Sequence, residues 1–99
     1  VDNLMTEKKL QGYVLDLAEA LGFLGYHTWD SRRSQPGFPD LTLVKGSRLI
    51  FAELKSAKGK PSPEQKEWLA ALRGTSAEVY LWRPCDWVDG SVEKVLLGG

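Results

Sequence analysis

The chain has 99 residues, 42% of them hydrophobic and 26% charged, with no net charge. That length supports one domain across residues 1–99 with a single core, and the composition is that of a globular protein rather than a disordered one. No apolar run approaches the ~20 residues a membrane helix requires. No basic-then-apolar leader opens the sequence, and the single Cys85 cannot form an internal disulfide. Both features point to a cytoplasmic, reducing setting. One cysteine and one histidine, His27, are too few for a thiolate or histidine zinc centre.

In chain order, Thr6 to Leu21 reads as a helix. Thr6 is the N-cap, Leu10, Val14, Leu17 and Leu21 form one stripe, and Gly22 marks the exit. Tyr26 to Trp29 is short, aromatic and β-branched, and reads as a strand. Asp30 to Pro39 reads as a loop. Leu41 to Val44 and Leu49 to Leu54 are apolar runs separated by Lys45-Gly46-Ser47-Arg48, and Gly-Ser suits a type II′ hairpin turn. Ser62-Pro63-Glu64-Gln65 opens a second helix, with Ser62 as N-cap, Pro63 at the first helical position and Gln65 completing a capping box. Trp68, Leu69 and Leu72 give that helix its apolar face, and Gly74 ends it. Glu78 to Arg83 is a last strand stopped by Pro84. The segment Val92 to Leu97 is apolar but of undetermined type. The order αβββαβ predicts an α/β fold, one mixed sheet flanked by helices.

Charge is unevenly distributed. Ser31 to Lys66 carries eight basic and three acidic residues, whereas the remainder carries five basic and ten acidic. Such a split could present one basic face to phosphates, although ordinary surface variation explains it equally well.

The hairpin makes a geometric statement. If Gly46 and Ser47 form the turn, Lys45 faces Arg48, and counting back along both strands Asp40 faces Glu53. Opposed residues in an antiparallel pair share a face with Cβ atoms about 4.5–5.5 Å apart, so two carboxylates there repel. A shared hard cation relieves that repulsion, since magnesium takes oxygen ligands from one or two carboxylates. Lys55, two residues beyond Glu53, lies on the same face, and Leu54 points the other way. Two carboxylates beside an ammonium suit metal-assisted phosphodiester hydrolysis, with Lys55 orienting water or stabilising charge on the phosphoryl oxygens. Glu7 is equally a third ligand or an acidic residue complementing the helix dipole. Gln65 is explained in full by its capping box, yet it stands at the mouth of the helix after Lys55.

Gly37-Phe38-Pro39-Asp40, twelve intervening residues and then Glu53-Leu54-Lys55 form the P-D…E-x-K signature of the PD-(D/E)XK nuclease superfamily. With the G-x-P-D lead-in, the hairpin spacing and Ser-Pro-Glu-Gln at the next helix, residues from about Glu7 to Trp87 resemble the virus-type replication-repair nuclease (VRR-NUC) family in its short stand-alone form. The resemblance implies a PD-(D/E)XK αβββαβ core and a magnesium- or manganese-dependent endonuclease acting on DNA, with branched substrates such as flaps or four-way junctions. It implies metal ligation by Glu7, Asp40 and Glu53, a catalytic Lys55, and a Gln65 brought to the site from the second core helix. A homodimer is also implied, which suits two-fold symmetric junctions.

Arg32 and Arg33, in the loop leading to Asp40, are expected to touch phosphates. Lys58 and Lys60 flank Gly59 beyond the active strand and are equally a backbone clamp or solvated loop residues. His27 reads as a strand residue, Trp68 and Trp82 as core, and Trp87 as packing. Tyr13, Tyr26 and Tyr80 lack the arginine–histidine array of a tyrosine recombinase. The competing readings are a non-catalytic DNA-binding accessory module and an RNA-directed nuclease of the same fold. A sequence-specific restriction enzyme is disfavoured, because the chain has little room for base-reading insertions.

Overall fold

A computed structural model describes residues 5–29 and 34–98. The elements in order are α1 (Glu7–Ala20), β1 (Leu24–His27), β2 (Leu41–Lys45), β3 (Arg48–Leu54), α2 (Pro63–Arg73), β4 (Glu78–Trp82), α3 (Pro84–Val88) and α4 (Ser91–Leu96). The sheet has strand order β1-β2-β3-β4. β1, β2 and β3 form an antiparallel meander, and β4 adds to β3 in parallel through α2. This is the expected α/β architecture with its mixed sheet.

Thr6 caps α1 through its side chain, which accepts from the Lys9 amide. Leu10, Val14 and Ala18 turn inward at helical spacing and meet one face of the sheet, where Leu41, Leu43, Ile50, Ala52 and Leu54 are all buried. Val92 and Leu96 of α4 close the same core. The segment of undetermined type is thus a helix, and its apolar residues finish the layer that α1 begins. The opposite face of the sheet packs on α2 through an aromatic group. Phe38 meets Phe51 edge-on at 5.7 Å and Trp68 at 5.1 Å. Trp82 is buried in the core, and Trp87 packs against it while stacking on Tyr13 at 5.5 Å.

The hairpin register follows the turn. Lys45 pairs with Arg48 and Leu41 with Ala52, and Gly46 alone of the two central residues takes a positive φ, 59°, as a type II′ turn requires. Beyond the hydrogen-bonded ladder, one step further places Asp40 opposite Glu53. β1 differs from expectation by two residues, running Leu24–His27 rather than Tyr26–Trp29. Pairing with β2 sets its limits: Leu24 faces Val44 and His27 faces Leu41.

Lys45 and Arg48 lie at the hairpin end, where Lys45 donates to the Leu21 carbonyl and Arg48 forms a bidentate pair with Glu78. Seven residues of strand, roughly 23 Å, separate them from Lys55. Lys45 and Arg48 therefore serve the far end of the sheet and stand apart from Lys55, so for these two cations ordinary surface variation is the reading that holds.

Candidate active site

The site is built where β3 ends and α2 begins. Asp40 closes the Gly-Phe-Pro-Asp lead-in, and each residue there has a structural reason. Pro39 is fully buried, and its carbonyl accepts from the Thr28 hydroxyl at 2.8 Å. The Asp40 carbonyl accepts from the Thr28 amide at 2.8 Å, and its Oδ2 accepts from the Leu54 amide at 2.8 Å. Gly37 has φ 95° and lies against the backbone of α2, where an added Cβ would fall 2.5 Å from the Glu64 carbonyl carbon. Only glycine lets this loop approach the helix so closely. The lead-in thereby fastens Asp40 to the start of α2.

Glu53 is buried, with 1% of its surface exposed. Its Oε2 accepts from Gln65 Nε2 at 2.7 Å and lies 3.4 Å from Lys55 Nζ. Its Oε1 is buried and has no hydrogen-bond partner among the described residues. Burial pushes the carboxyl up to about 7, the Asp40 carboxylate adds to the rise, and Lys55 opposes it. A buried carboxylate oxygen left open beside a second carboxylate fits a divalent cation with oxygen ligands.

Gln65 performs both of its possible tasks at once. Its Oε1 accepts from the Ser62 amide at 2.8 Å while the Ser62 hydroxyl accepts from the Gln65 amide, completing the capping box. Its Nε2 is then the end left free to reach Glu53. Capping thus sets which end of the amide faces the carboxylate.

Glu7 stands exposed at the rim of a hollow that Asp40 and Leu54 also line. Among the described residues no three His, Cys, Asp or Glu side chains converge as a metal cage; Asp40 stands immediately before β2, Glu53 on the neighbouring β3 and Glu7 on the first turn of α1. Lys58 and Lys60 are exposed in the loop after Lys55. Arg32 and Arg33 lie outside the described residues.

The sequence reading missed Arg83. Its Nη1 donates to the carbonyls of Ser56 at 2.8 Å and Gly59 at 2.6 Å. It therefore closes the loop that carries Lys58. Its position just after β4 is legible, but its distance from Ser56 in the chain hides the contact.

The αβββαβ order with an acid–acid–lysine site at the end of β3 defines a nuclease fold of the PD-(D/E)XK type, whose members typically use a divalent metal. The VRR-NUC domain matches residues 7–83, and the chain belongs to that family, which implies a phosphodiester-cleaving nuclease with DNA as substrate. A solved structure described as "VRR_NUC domain" is similar at 29% identity and TM-score 0.72, covering 90% of this chain and 97% of that one. A second, "VRR_NUC domain protein", shares the fold at 19% identity and TM-score 0.72, over 96% of this chain and 91% of that one. No curated protein matches the chain.

Proposed function

We propose that the protein is a magnesium- or manganese-dependent DNA endonuclease, selective for branched DNA, that uses Asp40, Glu53 and Lys55 for chemistry. The observation that carries this reading is the buried Glu53 carboxylate. It faces Asp40, touches Lys55, and retains an oxygen with no partner among the described residues. A module that only binds DNA gains nothing from acidic groups aimed at phosphates.

Asp40 and Glu53 would hold the cation. When bound, it polarises a phosphoryl oxygen and lowers the pKa of a coordinated water. Lys55, anchored beside Glu53, offers a charge to the phosphoryl oxygens and a donor to orient the attacking water. Gln65 holds Glu53 in place through a hydrogen bond that the capping box has aligned. Glu7 lines the same hollow as Asp40 and would add a third carboxylate to those that hold the cation. Lys58 and Lys60, together with Arg32 and Arg33, are assigned to the phosphate backbone.

A homodimer accompanies this reading. Leu24, Val44 and Leu49 face one another across three strands on the side of the sheet that α2 covers only in part. Leu24 is 78% exposed and Tyr26, on the same face, 57%. Sedimentation is expected to show concentration-dependent dimers, weakened in Val44→Asp. A monomer throughout the working range contradicts the assignment.

The test of function is cleavage of linear duplex, single strand, flap and four-way junction, with either metal and with an RNA counterpart of each. Metal-dependent cutting of a branched DNA, lost in Lys55→Ala, is the expected result. Binding without cutting any member would favour the accessory-module reading, and cutting of RNA alone the RNA-directed one.

A further inference from the structure

Two hollows flank Asp40, and Trp29 lines both. Gln35 and Phe38 also line one, Glu7 and Gln11 the other. Thr28, Trp29 and Asp40 are the residues common to both. Thr28 spends its amide and hydroxyl on the lead-in backbone, which leaves Trp29, beside Asp40, as the shared aromatic side chain presented to the two spaces. The indole is 70% exposed and lies 4.5 Å from the His27 ring, tilted by 54°. His27 thus supports the indole at its base, and most of its surface remains open.

We propose that Trp29 is a stacking platform for an unpaired nucleobase next to the phosphate held at Asp40. The inference rests on the nuclease reading and deepens it by naming the substrate class at the cut position: a nucleotide not paired within a duplex. A strand passing Asp40 places its neighbouring nucleotides in the two hollows, and a base entering either one meets the indole. Base–aromatic stacking is tolerant of sequence because each base offers a π-face. A base within a closed duplex is already stacked on both sides and cannot use the indole without leaving the helix. The platform therefore favours gaps, flaps and frayed junction points, where a base is free, over continuous duplex.

The test uses the Lys55→Ala protein, with calcium in place of magnesium so that binding is read without turnover. A single-stranded oligonucleotide carrying 2-aminopurine at several positions reports stacking by loss of fluorescence. Binding is followed in parallel by anisotropy. A fluorescence drop is expected in the Lys55→Ala background and in its Trp29→Phe derivative. With Trp29→Ala the drop is lost, and affinity for the single strand falls by about tenfold, while affinity for continuous duplex changes less than twofold. An equal drop with Trp29→Ala, equal weakening on both DNAs, or no binding of either overturns the proposal. So does loss of self-association in Trp29→Ala by sedimentation, which would assign the indole to an interface between copies. Cleavage by the parent protein is scored separately: a stacking signal without any metal-dependent cutting would count against the nuclease assignment and not against the platform.

Discussion

Replacing Asp40 by Asn is expected to lower metal-dependent cleavage by about a thousandfold or more, while DNA affinity stays within a few-fold of the parent protein. The substitution isolates charge from shape. Asn keeps an oxygen that can accept from the Leu54 amide, the hydrogen bond that Asp40 Oδ2 makes at 2.8 Å, so the lead-in and the start of α2 remain fastened. What disappears is one of two negative charges facing the proposed cation site. Losing a preorganised electrostatic group from a hydrolytic site removes about 10²–10³ in rate, and loss of the cation's contribution adds to it. Glu53→Ala should reach the same endpoint by emptying the other position. Single-turnover cleavage and equilibrium binding in calcium are the paired measurements. If binding and cleavage fall together in both variants, these residues serve DNA contact or folding and their assignment to chemistry fails.

The second large effect concerns stability. Glu53 is held at about 7 rather than near its ordinary value of 4.5, first because it is buried and next because Asp40 is negative. A carboxyl whose folded pKa is raised binds its proton more tightly when folded. Its neutral form leaves folding unpenalised below the unfolded value. The penalty grows as pH rises from about 4.5 and is complete above about 7. A shift of this size corresponds to roughly 3 kcal/mol, a large share of the stability of a domain this small. The metal-free protein is therefore expected to melt roughly 10 °C lower at pH 8 than at pH 5.5. Glu53→Gln should remove most of that difference, because the amide carries no charge and its carbonyl can still accept from Gln65 Nε2. The ionisable groups facing Glu53, Asp40 and Lys55, are unchanged in the variant, so subtracting its profile from the parent isolates position 53. Magnesium should raise the melting temperature of the parent at pH 8 by mass action and have little effect on Glu53→Gln. A parent and variant with the same pH profile would contradict the account of Glu53 given above.

What could be read from the chain and what could not divide along physical lines. The hairpin was legible because a two-residue turn fixes register by counting, and the counting placed Asp40 opposite Glu53 before any coordinates. The capping box was legible because its residues are adjacent in sequence. Its second effect, steering Gln65 Nε2 onto Glu53, depends on where β3 ends in space and was visible only as an ambiguity. β1 was displaced by two residues because Tyr26 to Trp29 has the composition of a strand, whereas its observed limits come from pairing with β2. The charge count in sequence did not tell that a strand carries Lys45 and Arg48 away from Lys55, to the far end of the sheet. Arg83 was missed because its partners, the Ser56 and Gly59 carbonyls, leave no trace in side-chain patterns. α3 and α4 were the least legible elements. Each is short, at five and six residues, and such helices depend on tertiary packing more than on propensity.

The connection of the sheet also bears on the order in which the site can form. β2 and β3 join through a two-residue turn and can pair on the microsecond scale of an isolated hairpin. β4 lies parallel to β3, so its pairing must await the formation and docking of α2. Asp40 and Glu53 therefore meet in the most local piece of the fold, before Gln65 arrives to hold one of them. During that interval the young hairpin carries its acidic pair with Lys55 as the nearest compensating charge. A chain folding in the presence of divalent cations has that repulsion relieved at the earliest stage, so the chemistry assigned to the finished enzyme could also ease its folding.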